Sequence, residues 1–93
     1  MRKLEPTTQF RRDYKRVSKG PLRDVLAKEL PATLNLLAQD APLPEHLRDH
    51  ALTGEWRDHR DCHIRPDLLL IYSKPDDAVL QLVRLGSHSA LGL

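Results

Sequence analysis

The feature that most constrains this chain is the run Leu68-Leu-Leu-Ile-Tyr72, set between Arg65-Pro66-Asp67 and Lys74-Pro-Asp-Asp77. An unbroken apolar run of this length between turn formers reads as a strand covered on both faces, not one half open to water. Both covers must come from 93 residues, a length that suits one domain over 1–93 with one modest core. The run is also far short of the roughly 18 apolar residues of a membrane span. The opening residues MRKLEPTTQFRRDYKR hold no apolar stretch like a signal peptide, so a cytoplasmic location without a membrane partner is expected. Cys62 is the only cysteine, which excludes a disulfide framework and a cysteine-rich zinc site. It is expected to be a small buried residue.

The neighbours of the apolar run supply its covers. Residues 56 to 64 alternate polar and semi-apolar positions like a strand, and Ala78 to Gly86 returns as its partner after the Lys74–Asp77 turn. Upstream, residues 2–6 suggest a short first strand, followed by a helix capped by Thr7 or Thr8. Phe10, Tyr14 and Val17 would share one face of that helix, until Gly20-Pro21 ends it and opens the next. The second helix, about Leu22 to Gln39, carries Leu22, Val25 or Leu26, Leu30, Leu34 and Leu37 as its stripe. Pro31 is expected to kink or break it. Asp40-Ala-Pro-Leu-Pro44 is a stiff connector. The order strand, two helices, antiparallel meander predicts an α+β fold with a helical hairpin on one face of a small antiparallel sheet.

Charge is uneven along the chain. Residues 1–39 hold nine Lys/Arg against four Asp/Glu, a net +5, whereas residues 40–93 hold six against nine, a net −3. Arg11, Arg12, Lys15, Arg16 and Lys19 fall opposite the apolar face of the first helix. They are candidates for contact with RNA or a ribosome, and equally an ordinary solvated face.

The second half concentrates histidine. His50, His63 and His88, with Asp67 and Arg84, lie near ends of elements that an antiparallel meander can bring to one sheet edge. Such a set holds what cleavage of RNA by its own 2′-hydroxyl requires: a base for the 2′-OH proton, an acid for the departing 5′-oxygen, and a cation for the charged transition state. Imidazoles titrate near neutrality and can serve in both proton transfers, each contributing about 10²–10⁴-fold. A guanidinium binds two phosphate oxygens as a fork. The products would be a 2′,3′-cyclic phosphate and a 5′-hydroxyl, and DNA would be spared. Each residue also has a structural explanation. Asp67 suits a turn, Arg84 suits an ion pair with Asp61 or Asp67, and Trp56 suits the core or a sheet edge. His59, His63 and Asp67 are spaced by four like metal ligands on a helix. On the expected strand they would spread over about 25 Å, so neither a metal nor another cofactor is expected. His46 carries no assigned role.

From Leu52 to Tyr72 the chain reads L-x-G-x-W-x-x-x-R-D-x-H-x-x-P-D-L-L-L-I-Y, and from Arg84 to Leu91 it reads R-x-G-S-H-x-x-L. This pattern resembles the YafQ branch of the RelE/ParE toxin superfamily. The resemblance implies a RelE-like fold and a toxin of a type II toxin–antitoxin system. Such a toxin cuts messenger RNA in the A site of the 70S ribosome, without metal or small-molecule cofactor, and is silenced by a cognate antitoxin. It also implies roles. His50, His63 and Asp67 would form the group around the 2′-OH, Arg84 would hold the scissile phosphate, and His88 would be the acid. Two departures stand out, since Leu68 and Gly92 occupy places where the family often has aromatic residues. The alternatives are a non-catalytic ParE-like toxin that inhibits a protein such as gyrase, which needs no histidine cluster, and a plain RNA-binding module.

Overall fold

The structure, a computed structural model, describes residues 1–93. Its elements are β1 (Lys3–Pro6), α1 (Thr8–Ser18), α2 (Arg23–Ala38), β2 (His50–Ala51), β3 (Arg60–Arg65), β4 (Leu68–Ser73), β5 (Val79–Gly86) and α3 (His88–Leu91), with short 3-10 turns at Glu45–Leu47 and Gly54–Trp56. The sheet runs β1-β5-β4-β3-β2. Only the β1–β5 pair is parallel. All six residues of β4 are buried, as the apolar run requires.

The two faces of the sheet are covered differently. On one, Phe10, Leu26, Leu30 and Leu37 of the helical hairpin pack on Leu68, Leu70, Tyr72, Leu80, Leu82 and Leu85. On the other, Leu69, Ile71 and Val83 are capped by Leu91 of α3, with Leu52 and Trp56 alongside. This second, thinner cover carries the site. Cys62 is fully buried, and burial pushes its thiol up to about 12, which leaves it unreactive near neutrality.

Thr7 ties the hairpin to the sheet. Its N–H donates to the Leu82 carbonyl at 2.9 Å, its hydroxyl donates to the Val83 carbonyl at 3.0 Å, and the same oxygen accepts from the Phe10 N–H at 3.1 Å. The helix is thereby capped and held to β5 by one residue.

Four sequence expectations change. The helix α2 runs through Pro31 unbroken. The carbonyl that loses its donor belongs to Ala27, which is exposed and solvated. On α1, Tyr14 is 42% exposed whereas Asp13 is buried beside Phe10, so the buried stripe is 10, 13 and 17. Trp56 lies in a 3-10 turn and β3 begins only at Arg60. Finally, a two-residue strand at His50–Ala51 pairs with β3 at the sheet edge.

Candidate active site

In a sheet, residues paired in register point to the same face, and those two apart along a strand share it. His50 pairs with Asp61, and Asp61 pairs with Ile71, on the face opposite the hairpin. Asp61 and His63 are two apart on β3, so they emerge side by side. The third imidazole arrives from β5. Ser87 caps α3 by accepting from the Ala90 N–H at 3.2 Å, Leu91 seats the turn on Leu69, Ile71 and Val83, and His88 is thereby held over His63. Ring centroids are 6.0 Å apart for His50–His63 and 5.2 Å for His63–His88. The three rings and Asp61 line an open cleft of about 490 Å³ with Arg48, Leu52, Pro66 and Leu93.

The chemistry of each group follows from its neighbours. Arg48 adopts a left-handed conformation, with φ of 51°, that aims its carbonyl at the His50 ring. His50 Nδ1 lies 2.8 Å from that carbonyl. A carbonyl only accepts, so Nδ1 carries the proton and Nε2 keeps its lone pair. The same Nδ1 is 3.1 Å from Asp61 Oδ1, and His63 Nε2 is 3.8 Å from that oxygen. Asp61 is nonetheless 2% exposed, and Oδ1 has no aligned hydrogen bond. Proximity to the imidazoles is thus electrostatic contact rather than full hydrogen bonding.

Burial raises the Asp61 carboxyl above its ordinary value, an effect only partly offset by positive charge on His50, His63 and His88. Burial lowers His63; Asp61 opposes that shift, while His88 and His50 reinforce it. The acid is thus made more basic and the imidazole less so, bringing their proton affinities toward each other. Such convergence is the condition for a proton to move within a site at neutral pH.

Three ligand atoms, one each from His50, Asp61 and His63, also lie within 4.8 Å of one another. Two imidazoles and a carboxylate suit Zn²⁺ or Cu²⁺. These differ from the His59, His63 and Asp67 triplet weighed from sequence spacing. His59 instead donates or accepts at the Arg57 carbonyl, 3.1 Å away, and stacks edge-on with Trp56.

Of the five residues singled out by sequence, the structure brings His50, His63 and His88 together and leaves two outside the cleft. Asp67 is the exposed second residue of the two-residue turn between β3 and β4, and it lines a neighbouring cleft with Arg16 and Gly86. Arg84 pairs neither with Asp61 nor with Asp67. Its Nε donates to Asp13 Oδ2 at 2.7 Å and its Nη2 to Oδ1 at 3.3 Å. Asp61 is the residue that sequence reasoning missed as a site member. The R-D-x-H spacing on a strand was the available signal. Arg11, Arg12, Lys15, Arg16 and Lys19 are all exposed, and only Arg16 has an acidic partner, Asp13 at 2.9 Å.

Comparison with known proteins gives one consistent outcome. Residues 2–92 match the family described as the bacterial toxin of a type II toxin–antitoxin system, YafQ. The chain is 38% identical over 90 residues to the mRNA interferase toxin YafQ of Escherichia coli K12, covering 97% of this chain and 95% of that one. Among solved structures it is similar to a copper-bound mutant toxin from Helicobacter pylori, with a TM-score of 0.89, 38% identity and coverage of 98% and 99%. It is also similar to a chain of the E. coli DinJ–YafQ toxin–antitoxin complex, with a TM-score of 0.82, 36% identity and coverage of 97% and 96%.

Proposed function

Since the chain belongs to the YafQ family of type II toxins, we propose that its histidine cleft cuts messenger RNA by attack of the ribose 2′-hydroxyl, with no metal taking part in the reaction. The observation that carries this reading is the contiguous array His50–His63–His88 around the buried Asp61. His63, which burial keeps neutral, takes the 2′-OH proton. Asp61 stabilises the imidazolium that results. His88, at the open side of the array, protonates the departing 5′-oxygen. His50, oriented by the Arg48 carbonyl, positions the attacking ribose. Asp67 and Arg84 act from the cleft's flank on the RNA strand beside the cut, not at the imidazoles.

All proton transfers are thus supplied by side chains, which supports metal independence. Ligation of His50, Asp61 and His63 by a transition metal would take up the lone pairs that the reaction uses. A copper-bound relative from H. pylori fits a metal that blocks this cleft rather than serves it.

No Phe, Tyr or Trp lines the cleft, so it has no large stacking platform to hold a splayed base. An outside body must present the strand, and the ribosomal A site supplies one. The exposed cations of α1 are available for ribosomal RNA. The partners are therefore the translating ribosome and, as in the DinJ–YafQ complex, a cognate antitoxin; both place the protein in the cytoplasm. No helix is long and apolar enough to cross a membrane.

The test uses programmed ribosomes with ordinary messenger RNA or with 2′-O-methyl groups at the cut site. Ordinary RNA is expected to be cut to 2′,3′-cyclic phosphate and 5′-hydroxyl ends, and methylated RNA to survive. Cutting of the methylated strand, or 5′-phosphate ends, refutes the reading. Equal cutting of free RNA and ribosome-bound RNA refutes the ribosome's part in it.

A further inference from the structure

Asp13 is the most fully committed acid in the molecule, and the histidine chemistry does not use it. It is 2% exposed and accepts from four donors. Arg84 Nε and Nη2 contribute 2.7 and 3.3 Å contacts, Arg16 Nη2 lies at 2.9 Å, and the Leu85 N–H at 3.0 Å. The last bond shows why it sits there. The short β1 pairs with β5 only as far as Leu82, which leaves the later N–H groups of β5 at an open edge, and Asp13 closes that edge from α1.

The consequence for the two arginines is orientation. A guanidinium carries five N–H donors. Asp13 occupies two on Arg84 and one on Arg16, so most of the donors on both forks remain free. Arg16 keeps 58% of its side chain exposed. Its Nη2 lies 3.7 Å from where a Cβ on Gly86 would stand. Gly86 pairs with Leu69, and Leu69 pairs with His63, while the chain after Gly86 runs directly into Ser87 and His88. The guanidinium thus overhangs the strand end two residues before His88, above the cleft that Arg16, Gly86 and Ser87 line with Asp67 on its wall. Any side chain larger than hydrogen at position 86 would stand under this fork.

We propose that Arg16 and Arg84, aligned on the shared Asp13, form a binding station for an RNA backbone phosphate adjacent to the scissile one, with Asp13 as its positioning residue. This rests on the RNA-cleaving reading of the histidine cleft and adds a second point of grip, which fixes the strand's direction across the sheet. The ligand is the phosphodiester itself, so the station reads no base. Geometry, not net charge, is its contribution, because Asp13 and Asp67 balance the two arginines. Long-range attraction comes instead from Arg11, Arg12, Lys15 and Lys19, which form no ion pair within the chain.

The test measures binding of single-stranded 2′-O-methyl RNA, which cannot be cut by the 2′-hydroxyl route, across a series of salt concentrations. It compares the parent chain, Arg16→Gln and Asp13→Asn, with melting curves for each. Arg16→Gln is expected to fold normally, to bind about tenfold more weakly at low salt, and to lower the slope of log affinity against log salt by about 0.7, the value of one phosphate contact on a single strand. Its KM for cuttable RNA should rise while kcat changes little. Asp13→Asn should reproduce the same binding loss, with Asp13→Glu recovering part of it. A purely structural Asp13 would change melting alone, and that result overturns the proposal. So would parent-like affinity and slope in Arg16→Gln, or absence of low-salt RNA binding by the parent. Failure of the histidine variants to slow cutting would sink the cleft reading instead, so the two failures are distinct.

Discussion

Asp61→Asn removes one negative charge and leaves the side chain's shape almost unchanged. The carboxylate it replaces is 2% exposed, and one oxygen lacks an aligned hydrogen bond, so the folded chain carries a desolvation cost that an amide largely avoids. An imperfectly paired buried polar group costs about 1–3 kcal/mol. Part of that is recovered in the parent from His50 and His63, so a net gain of about 1 kcal/mol is expected for the variant. For a domain of this size that is about 4–8 °C in Tm. The sign with pH follows from the raised carboxyl value of Asp61 against 3.8 for the unfolded chain. The penalty is fully present above the folded-state value and vanishes as pH falls below the unfolded one. It is largest where the imidazoles are neutral and cannot offset the buried charge. Melting of the two proteins at pH 7–8 and again near pH 4 should therefore show the variant more stable at the first and little different at the second. Cutting should fall about 10²-fold, because the imidazolium formed at His63 loses its counter-charge. A variant that melts lower than the parent at pH 7–8 would refute the argument, since it would make Asp61 a net stabiliser of the fold.

Three further outcomes are expected. The acidic limb of the pH profile of kcat/KM should have its midpoint below 6.5, because His63 is the base and its value is lowered; a midpoint at or above 6.5 contradicts that role. Micromolar Cu²⁺ or Zn²⁺ should inhibit cutting of a minimal RNA substrate reversibly, with chelator restoring the rate, and His63→Gln should weaken metal binding measured by calorimetry. Leu91→Ala should destabilise the chain by about 2 kcal/mol, the lower end for a buried leucine, and should reduce cutting more than a distant substitution of equal cost, because it loosens the seat that holds His88; equal activity at equal stability would separate α3 from the site.

Much of the fold was legible because its signals are local. Thr7 caps α1 where a hydroxyl precedes an apolar repeat, Gly20-Pro21 separates the helices, and the unbroken run at 68–72 becomes the strand buried on both faces. The misreadings have long-range causes. Pro31 does not break α2, since the orphaned carbonyl is wetted and the helix is held by Leu26, Leu30 and Leu37 beneath it. Tyr14 yields its place in the buried stripe to Asp13, a charged residue that no periodicity argument would send inward. It goes inward because Leu85 and Arg84 wait there, 71 and 72 residues away in sequence.

The same distinction explains which part of the site could be read. His50, His63 and His88 stand out by residue type, and imidazole is rare enough that three in one half of a chain invite a common purpose. Asp61 does not stand out among thirteen acidic residues. What distinguishes it is that the sheet pairs His50 opposite it and His63 emerges beside it, and that pairing depends on a two-residue strand too short to announce itself. Asp67 and Arg84 show the converse. Their types suit the chemistry, yet one sits on a turn and the other is drawn across the sheet edge by a buried carboxylate. Residue type narrows the list of chemically able groups, but strand register selects among them, because a one-residue slip along β3 would turn Asp61 and His63 to the hairpin face and bring Cys62 out. The site is therefore a property of the register between β2, β3 and β4, which the buried run at 68–72 enforces by having to stay dry on both sides.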